Sequence, residues 1–290
     1  MGKYLDAAKR HFGTDVRGLL EGGRYALLHT RSMEFDDLRP YVPGDDVRDI
    51  DWKASARSGD ILIKRFVSEQ HHKVLIVADA GRNMTASAPS GERKHDVALH
   101  IMGALGLITM RRSDQVGMVY GDVRGCVNIR AGRGESHLES MLHRYHEQVC
   151  GRPGRSDVIC QLDYAATHYR HQMLLVVVSD EPEPTQRLAT TLSRLTARHD
   201  LMWAMVADRP AVGSGAAAQD GYDVGTGDVV LNGAVLGARV IDAYRRAEQA
   251  RVRRLDEFMT TCGVPYTVIG GSSEIRRNLV ALTERLARAR

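Results

Sequence analysis

At 290 residues, with 43% hydrophobic and 26% charged side chains, the chain has the length and mix of a soluble globular protein able to bury one large core or two modest ones. Its 40 Lys and Arg against 36 Asp and Glu leave a net charge of only +4, too mild to argue for nucleic acid as a partner. The four cysteines, Cys126, Cys150, Cys160 and Cys262, have no paired spacing, so they suggest neither a zinc site nor a disulfide framework, and reduced thiols in the cytoplasm are expected.

In chain order, residues 1–6 carry no apolar signal-peptide core. Residues 4–22 have the pattern of an amphipathic helix that stops at Gly22-Gly23. A dense mixture of acids and bases fills 39–57, and 61–67 has strand composition. Residues 73–79 predict a buried strand closed by Asp79. A helix follows over 92–112. The apolar run inside it, 97–110, is short of the roughly 20 residues a membrane span needs, so a helix buried against a sheet is expected, with no membrane span. Residues 115–120 and 126–130 predict a hairpin around 121–125. Helices are expected at 136–147 and 156–169, and an apolar strand over 173–180 ends in Asp180. Then come a helix over 185–198, a strand over 201–207, a Gly- and Ala-rich surface loop over 212–227, a charged helix over 237–262, a strand over 266–269 and a terminal helix over 274–290. Strands that alternate with helices, several of them apolar throughout, specify an α/β fold with a doubly wound, mostly parallel, Rossmann-type sheet. The expected division is an N-terminal extension over 1–70 and an α/β domain over 71–290, packed as one unit.

The segment 39–57 is the most informative. Pro43-Gly44 marks a turn, and Asp45 or Asp46 is placed to cap a short helix that starts near Val47. Asp49, Asp51, Lys53 and Arg57 fall within helical reach of opposite charges. Tyr41, Ile50 and Trp52 are expected to anchor the segment to a core, with Trp52 buried and Asp51 paired to a buried cation. Leu38, Arg39, Tyr41, Gly44, Asp45, Arg48, Ile50, Asp51 and Trp52 together resemble the signature of the family called domain of unknown function 58. That resemblance implies a von Willebrand factor A-like domain. It also implies an adaptor or scaffold, not an enzyme, that works with a MoxR-type AAA+ ATPase or its client in the assembly or maturation of protein complexes.

In an open parallel sheet, ligands bind beyond the carboxyl ends of the strands. Asp79 and Asp180 stand there. Asp79-Ala80-Gly81-Arg82-Asn83 resembles the opening of a metal-ion-dependent adhesion site, Asp-x-Ser-x-Ser, with Gly81 and Asn83 in place of the two serines and Asp180 as the distant acid. By that resemblance Asp79, Asn83 and Asp180 form a degenerate metal site that holds either no cofactor or a weakly bound Mg²⁺. The alternative is that the two acids cap helices while Gly81 relaxes the turn. Arg82 either competes with a cation for the carboxylates or points outward to a partner. In the loop 131–136, expected on the same face, Ser136 is the one hydroxyl available. His71-His72 and the pair His95 and His100 lack ligand spacing. The rival functions are a metal-dependent hydrolase built on Asp79 and Asp180, and a weakly basic nucleic-acid-binding protein. A solvated helix face, not nucleic-acid binding, is the reading adopted for the basic run 244–254.

Overall fold

A computed structural model of the chain describes residues 2–12, 33–42, 45–68, 73–110, 114–210, 220–231 and 237–288. Pro43, Gly44, His71, His72 and the second half of the expected first helix lie outside the described residues. Before the main sheet come α1 (Lys3–Phe12), β1 (Met33–Pro40), α2 (Trp52–Ser58) and β2 (Leu62–Ser68). Then follow β3 (Lys73–Asp79), α3 (Lys94–Met110), β4 (Gln115–Asp122), β5 (Gly125–Gly132), α4 (Glu135–Cys150) and α5 (Val158–His168). The chain continues with β6 (Leu174–Ser179), α6 (Gln186–Thr196), β7 (Asp200–Val206), β8 (Gly221–Tyr222) and β9 (Val229–Val230). It closes with α7 (Ala238–Thr261), β10 (Tyr266–Ile269) and α8 (Ile275–Arg288).

The main sheet has six strands in the order β10-β7-β6-β3-β4-β5, all parallel except the edge strand β5. β6 is buried at every position, as a parallel strand covered on both faces must be. Alternate residues of β3 feed two cores. Val74, Ile76 and Ala78 pack with α1, α3, α4 and α8, while Leu75 and Val77 pack with α5, α6 and α7. The sheet is therefore the doubly wound α/β sheet that the sequence predicts. α3 is apolar all round because it is enclosed all round; α1 and α4 lie against it, and a Cβ added to Gly103 would fall 2.6 Å from the Ala8 Cβ. Leu5 and Ala8 of α1 are fully buried in this core, so the first helix belongs to the α/β body although it precedes the signature.

α7 is the opposite case. Over 24 residues it buries only Leu255 and Met259, near its C-terminal end. No helix among the described residues is long and apolar enough to cross a membrane.

Three local expectations need correction. No strand is expected over 33–40, yet β1 pairs antiparallel with β2, with an irregularity between Phe35 and Asp37 that breaks strict alternation. The loop expected over 212–227 contains the start of a small hairpin, β8–β9. Trp52 is 68% exposed, since α2 buries no side chain; Ile50 alone of the three expected anchors is fully buried. Asp51 caps α2, accepting from the backbone N–H groups of Lys53 and Ala54. Asp46 caps the short 3-10 turn Val47–Asp49. The Arg39 guanidinium clamps Asp45 through two bonds of 2.8 and 2.6 Å and holds its carboxyl below the usual carboxylate range.

Candidate functional site: a strand-end cluster closed by a lysine

β3 and β6 end side by side, which puts Asp79 and Asp180 at one end of the sheet. Asp79 is buried, and its Oδ1 accepts from the Gly81 N–H at 2.9 Å. Burial pushes its carboxyl up to about 6, with hydrogen bonds from Ser156 and Gly81 offsetting part of that rise. From below, the Tyr145 hydroxyl donates to the Asp79 carbonyl at 2.8 Å. The backbone at Asp180 is fixed by a short relay, in which the Trp203 indole N–H donates to Ser179 Oγ and that hydroxyl donates to the Asp180 carbonyl.

Asn83 joins the cluster, as expected. Its Nδ2 donates to Asp180 Oδ2 at 3.0 Å, the only polarity a carboxylate accepts. Arg82 is exposed and stands beside the cluster on the 3-10 turn Arg82–Thr85. Ser136 does not join. β5 runs antiparallel to β4 and pairs Gly132 with Val116, at the start of β4, so the 131–136 loop sits at the far end of the sheet. The hydroxyl comes instead from Ser156. Its loop is carried to the strand ends by Asp122, a buried carboxylate that accepts from the N–H of Gly154 and from Arg124. Burial alone would raise the Asp122 carboxyl, but the bonds from Arg124 and Gly154 hold it below its ordinary value. Ser156 Oγ then accepts from the Asn83 N–H at 3.1 Å. This crossing explains Gly81, whose φ of −82° demands no glycine. A Cβ there would lie 2.4 Å from the Ser156 Cα, so the serine of the adhesion-site pattern has no room.

The decisive group was not singled out in the sequence. Lys94, the first residue of α3, has a fully buried side chain whose ammonium lies 2.5 Å from Asp180 Oδ1 and 2.7 Å from Asp208 Oδ1. A cation at a helix N-terminus opposes the helix dipole, and a lysine in front of an apolar run was the one available hint that something acidic awaits it. The donor set as arranged does not fit a divalent metal ion. Both Asp180 oxygens are engaged, by Lys94 and the Glu181 N–H on one side and by Asn83 on the other. Asn83 presents nitrogen, not oxygen, and Asp79 is spent on Gly81. Magnesium needs about six oxygens in near-octahedral array. Here an internal ammonium takes the cation's part.

Beside the cluster opens a groove of about 450 Å³, lined by Asn83, Arg93, Asp180, Asp208, Arg209 and Tyr222 among others. Its outer wall is the β8–β9 hairpin, where Tyr222 and Val229 are 69% and 71% exposed. Glu181, next to Asp180, pairs with Arg251 of α7, which also holds Glu248.

Comparison with known proteins places the chain. An uncharacterized protein of Mycobacterium tuberculosis is 24% identical over 257 residues, covering 86% of this chain and 78% of that protein. Among solved structures, an aerotolerance-related membrane protein from Bacteroides fragilis aligns with a TM-score of 0.47 at 13% identity, over 75% of this chain and 99% of that one. A von Willebrand factor type A protein from Catenulispora acidiphila aligns with a TM-score of 0.44 at 11% identity, over 78% of this chain and 44% of that one. Residues 37–213, more than half of the chain and including its charged signature, match the family described as protein of unknown function DUF58, and the chain belongs to that family.

Proposed function

We propose that the chain is a non-enzymatic adaptor or scaffold of the cytoplasm whose strand-end face docks a protein partner. The partner is a MoxR-type AAA+ ATPase or its client, during assembly or maturation of a complex. The observation that carries this reading is that the chain's own Lys94, Asn83 and backbone N–H groups engage both oxygens of Asp180 and one oxygen each of Asp79 and Asp208. Metal-assisted hydrolysis needs an open coordination position and an activated water, and this cluster spends its oxygens internally. What it offers outward is shape and side chains. Arg82 is exposed at the rim, and Tyr222 stands on the groove wall. Arg and Tyr are the residue types that most often anchor protein interfaces, and the choice of partner rests on the family resemblance.

The test is capture of a MoxR-type ATPase from the same cell by the full chain. Arg82→Glu and Tyr222→Ala are each expected to weaken capture at least about tenfold, the scale of an interface hot spot, with little change in melting temperature. Wild-type capture by both variants overturns the docking face. In calorimetry, magnesium is expected to give no heat beyond dilution.

A further inference from the structure

A second cluster lies on the other side of the α3 N-terminus, and it has the opposite character. His95, the second residue of α3, meets His146 and Cys150, which stand one turn apart near the end of α4. Cys150 Sγ is 3.7 Å from His95 Nε2 and 3.6 Å from the His146 ring nitrogens. One ligand atom from each residue lies within 4.8 Å of the other two.

We propose that His95, His146 and Cys150 form a binding site for a zinc-class divalent cation, with the Asp96 carboxylate or a water in the fourth position.

Three observations carry this. The first is spacing. Zinc bonds of about 2.3 Å to sulfur and 2.0–2.1 Å to nitrogen at a tetrahedral angle put the ligand atoms about 3.5 Å apart, close to the separations found. The second is orientation. His95 Nδ1 lies 3.2 Å from the Met84 carbonyl, which can only accept, so Nδ1 carries the proton and Nε2 turns its lone pair to the cluster. A backbone carbonyl that fixes the imidazole of a ligand in this way is the usual outer support of a zinc histidine. The third is framing. The Tyr4 ring of α1 packs at 5.3 Å from the His146 ring, and Asp96 Oδ1 is 3.6 Å from His95 Nε2. A bound dication would displace the Cys150 thiol proton to solvent as the metal–sulfur bond forms.

The other histidine cluster, His11, Glu92 and His100, is a useful contrast. There Glu92 accepts from Ser90 Oγ and the Ser272 N–H, and His100 Nδ1 is bonded to Ser272 Oγ, so its donors already stitch the fold together.

Zinc titration of the full chain against a chromophoric chelator tests the proposal, with Co²⁺ as a spectroscopic substitute. One Zn²⁺ per chain is expected, and a rise in melting temperature with it. Co²⁺ should give thiolate-to-metal charge-transfer absorption and the strong visible bands of a tetrahedral site. Cys150→Ser and His146→Ala should each weaken binding at least tenfold, and Cys150→Ser should abolish the charge-transfer band. Absence of stoichiometric binding by the wild type overturns the site. So does binding with unchanged affinity in Cys150→Ser. Because the cobalt spectrum is read on the wild type, poor folding of a variant does not shelter the proposal. Neither readout involves partner capture, so the outcome is independent of the docking face.

Discussion

The first turn of α3 separates two clusters that solve the same electrostatic problem in opposite ways. Toward the strand ends, Lys94 brings a cation that is part of the chain, and the acids around it are consumed. Toward α1 and α4, His95, His146 and Cys150 bring donors together with the Asp96 carboxylate beside them. The contrast teaches that resemblance to a metal-site motif and aptness for a metal are separate properties. The motif-bearing cluster is closed, and the cluster without a motif has the spacing and the oriented lone pair.

The sharpest way to break this comparison is Lys94→Met, which keeps the length of the side chain and removes its charge. It leaves the largely buried Asp180 carboxylate without its ammonium and should cost about 3–5 kcal/mol in urea denaturation at neutral pH, the usual penalty for breaking a buried pair. A loss below about 1 kcal/mol, within the range of surface pairs, would mean that the ammonium is not what closes the site.

Next in size is a pH effect. The Asp79 carboxyl sits at about 6 in the fold against 3.8 as the reference value. Between those values the native state binds more protons than the unfolded state, so stability falls as pH rises through that window and levels off above it. The contribution is about 3 kcal/mol by linkage. Asp79→Asn should flatten this segment of the stability profile; a slope equal to that of the wild type would assign the effect to another group. Gly81→Ser, which restores the adhesion-site serine, should cost about 1–3 kcal/mol through its collision with the Ser156 backbone. Thermal melts that match the wild type would show that the 152–156 loop can retreat.

The smallest effects lie on exposed groups. Without metal, Cys150→Ser should change stability by less than about 0.5 kcal/mol, and so should Trp52→Ala, because both side chains face solvent. A larger apo penalty for Cys150→Ser would mark its cluster as a packing element.

The sheet was legible in the sequence because its strands are short apolar runs and its helices carry clear caps, as with Thr185, which caps α6 by accepting from the Leu188 N–H. Asp79, Asn83 and Asp180 were legible as well, since the ends of adjacent parallel strands converge. Lys94, Ser156 and Asp208 were not, because each reaches the cluster from a separate connection and no local pattern encodes the meeting. Ser136 was misplaced by a reversal of direction: β5 is antiparallel, so the segment after it starts from the opposite end of the sheet. Trp52 was misread because an aromatic in a motif was taken as a core residue, whereas α2 has no buried face. The cysteine spacing hid Cys150, whose partners are one helical turn and one helix away.

Lys94 and His95 are consecutive residues, so an ion held at one cluster would act on the turn that carries the other. An ion held by the His95 imidazole would restrict the peptide from which Lys94 projects and so would lower the entropy lost when the ammonium settles on Asp180 and Asp208. Linkage is reciprocal. Whatever free energy the ion lends to the closed strand-end cluster, that closed cluster returns as affinity for the ion, and a partner that pulled Lys94 from its acids would loosen the metal by the same factor.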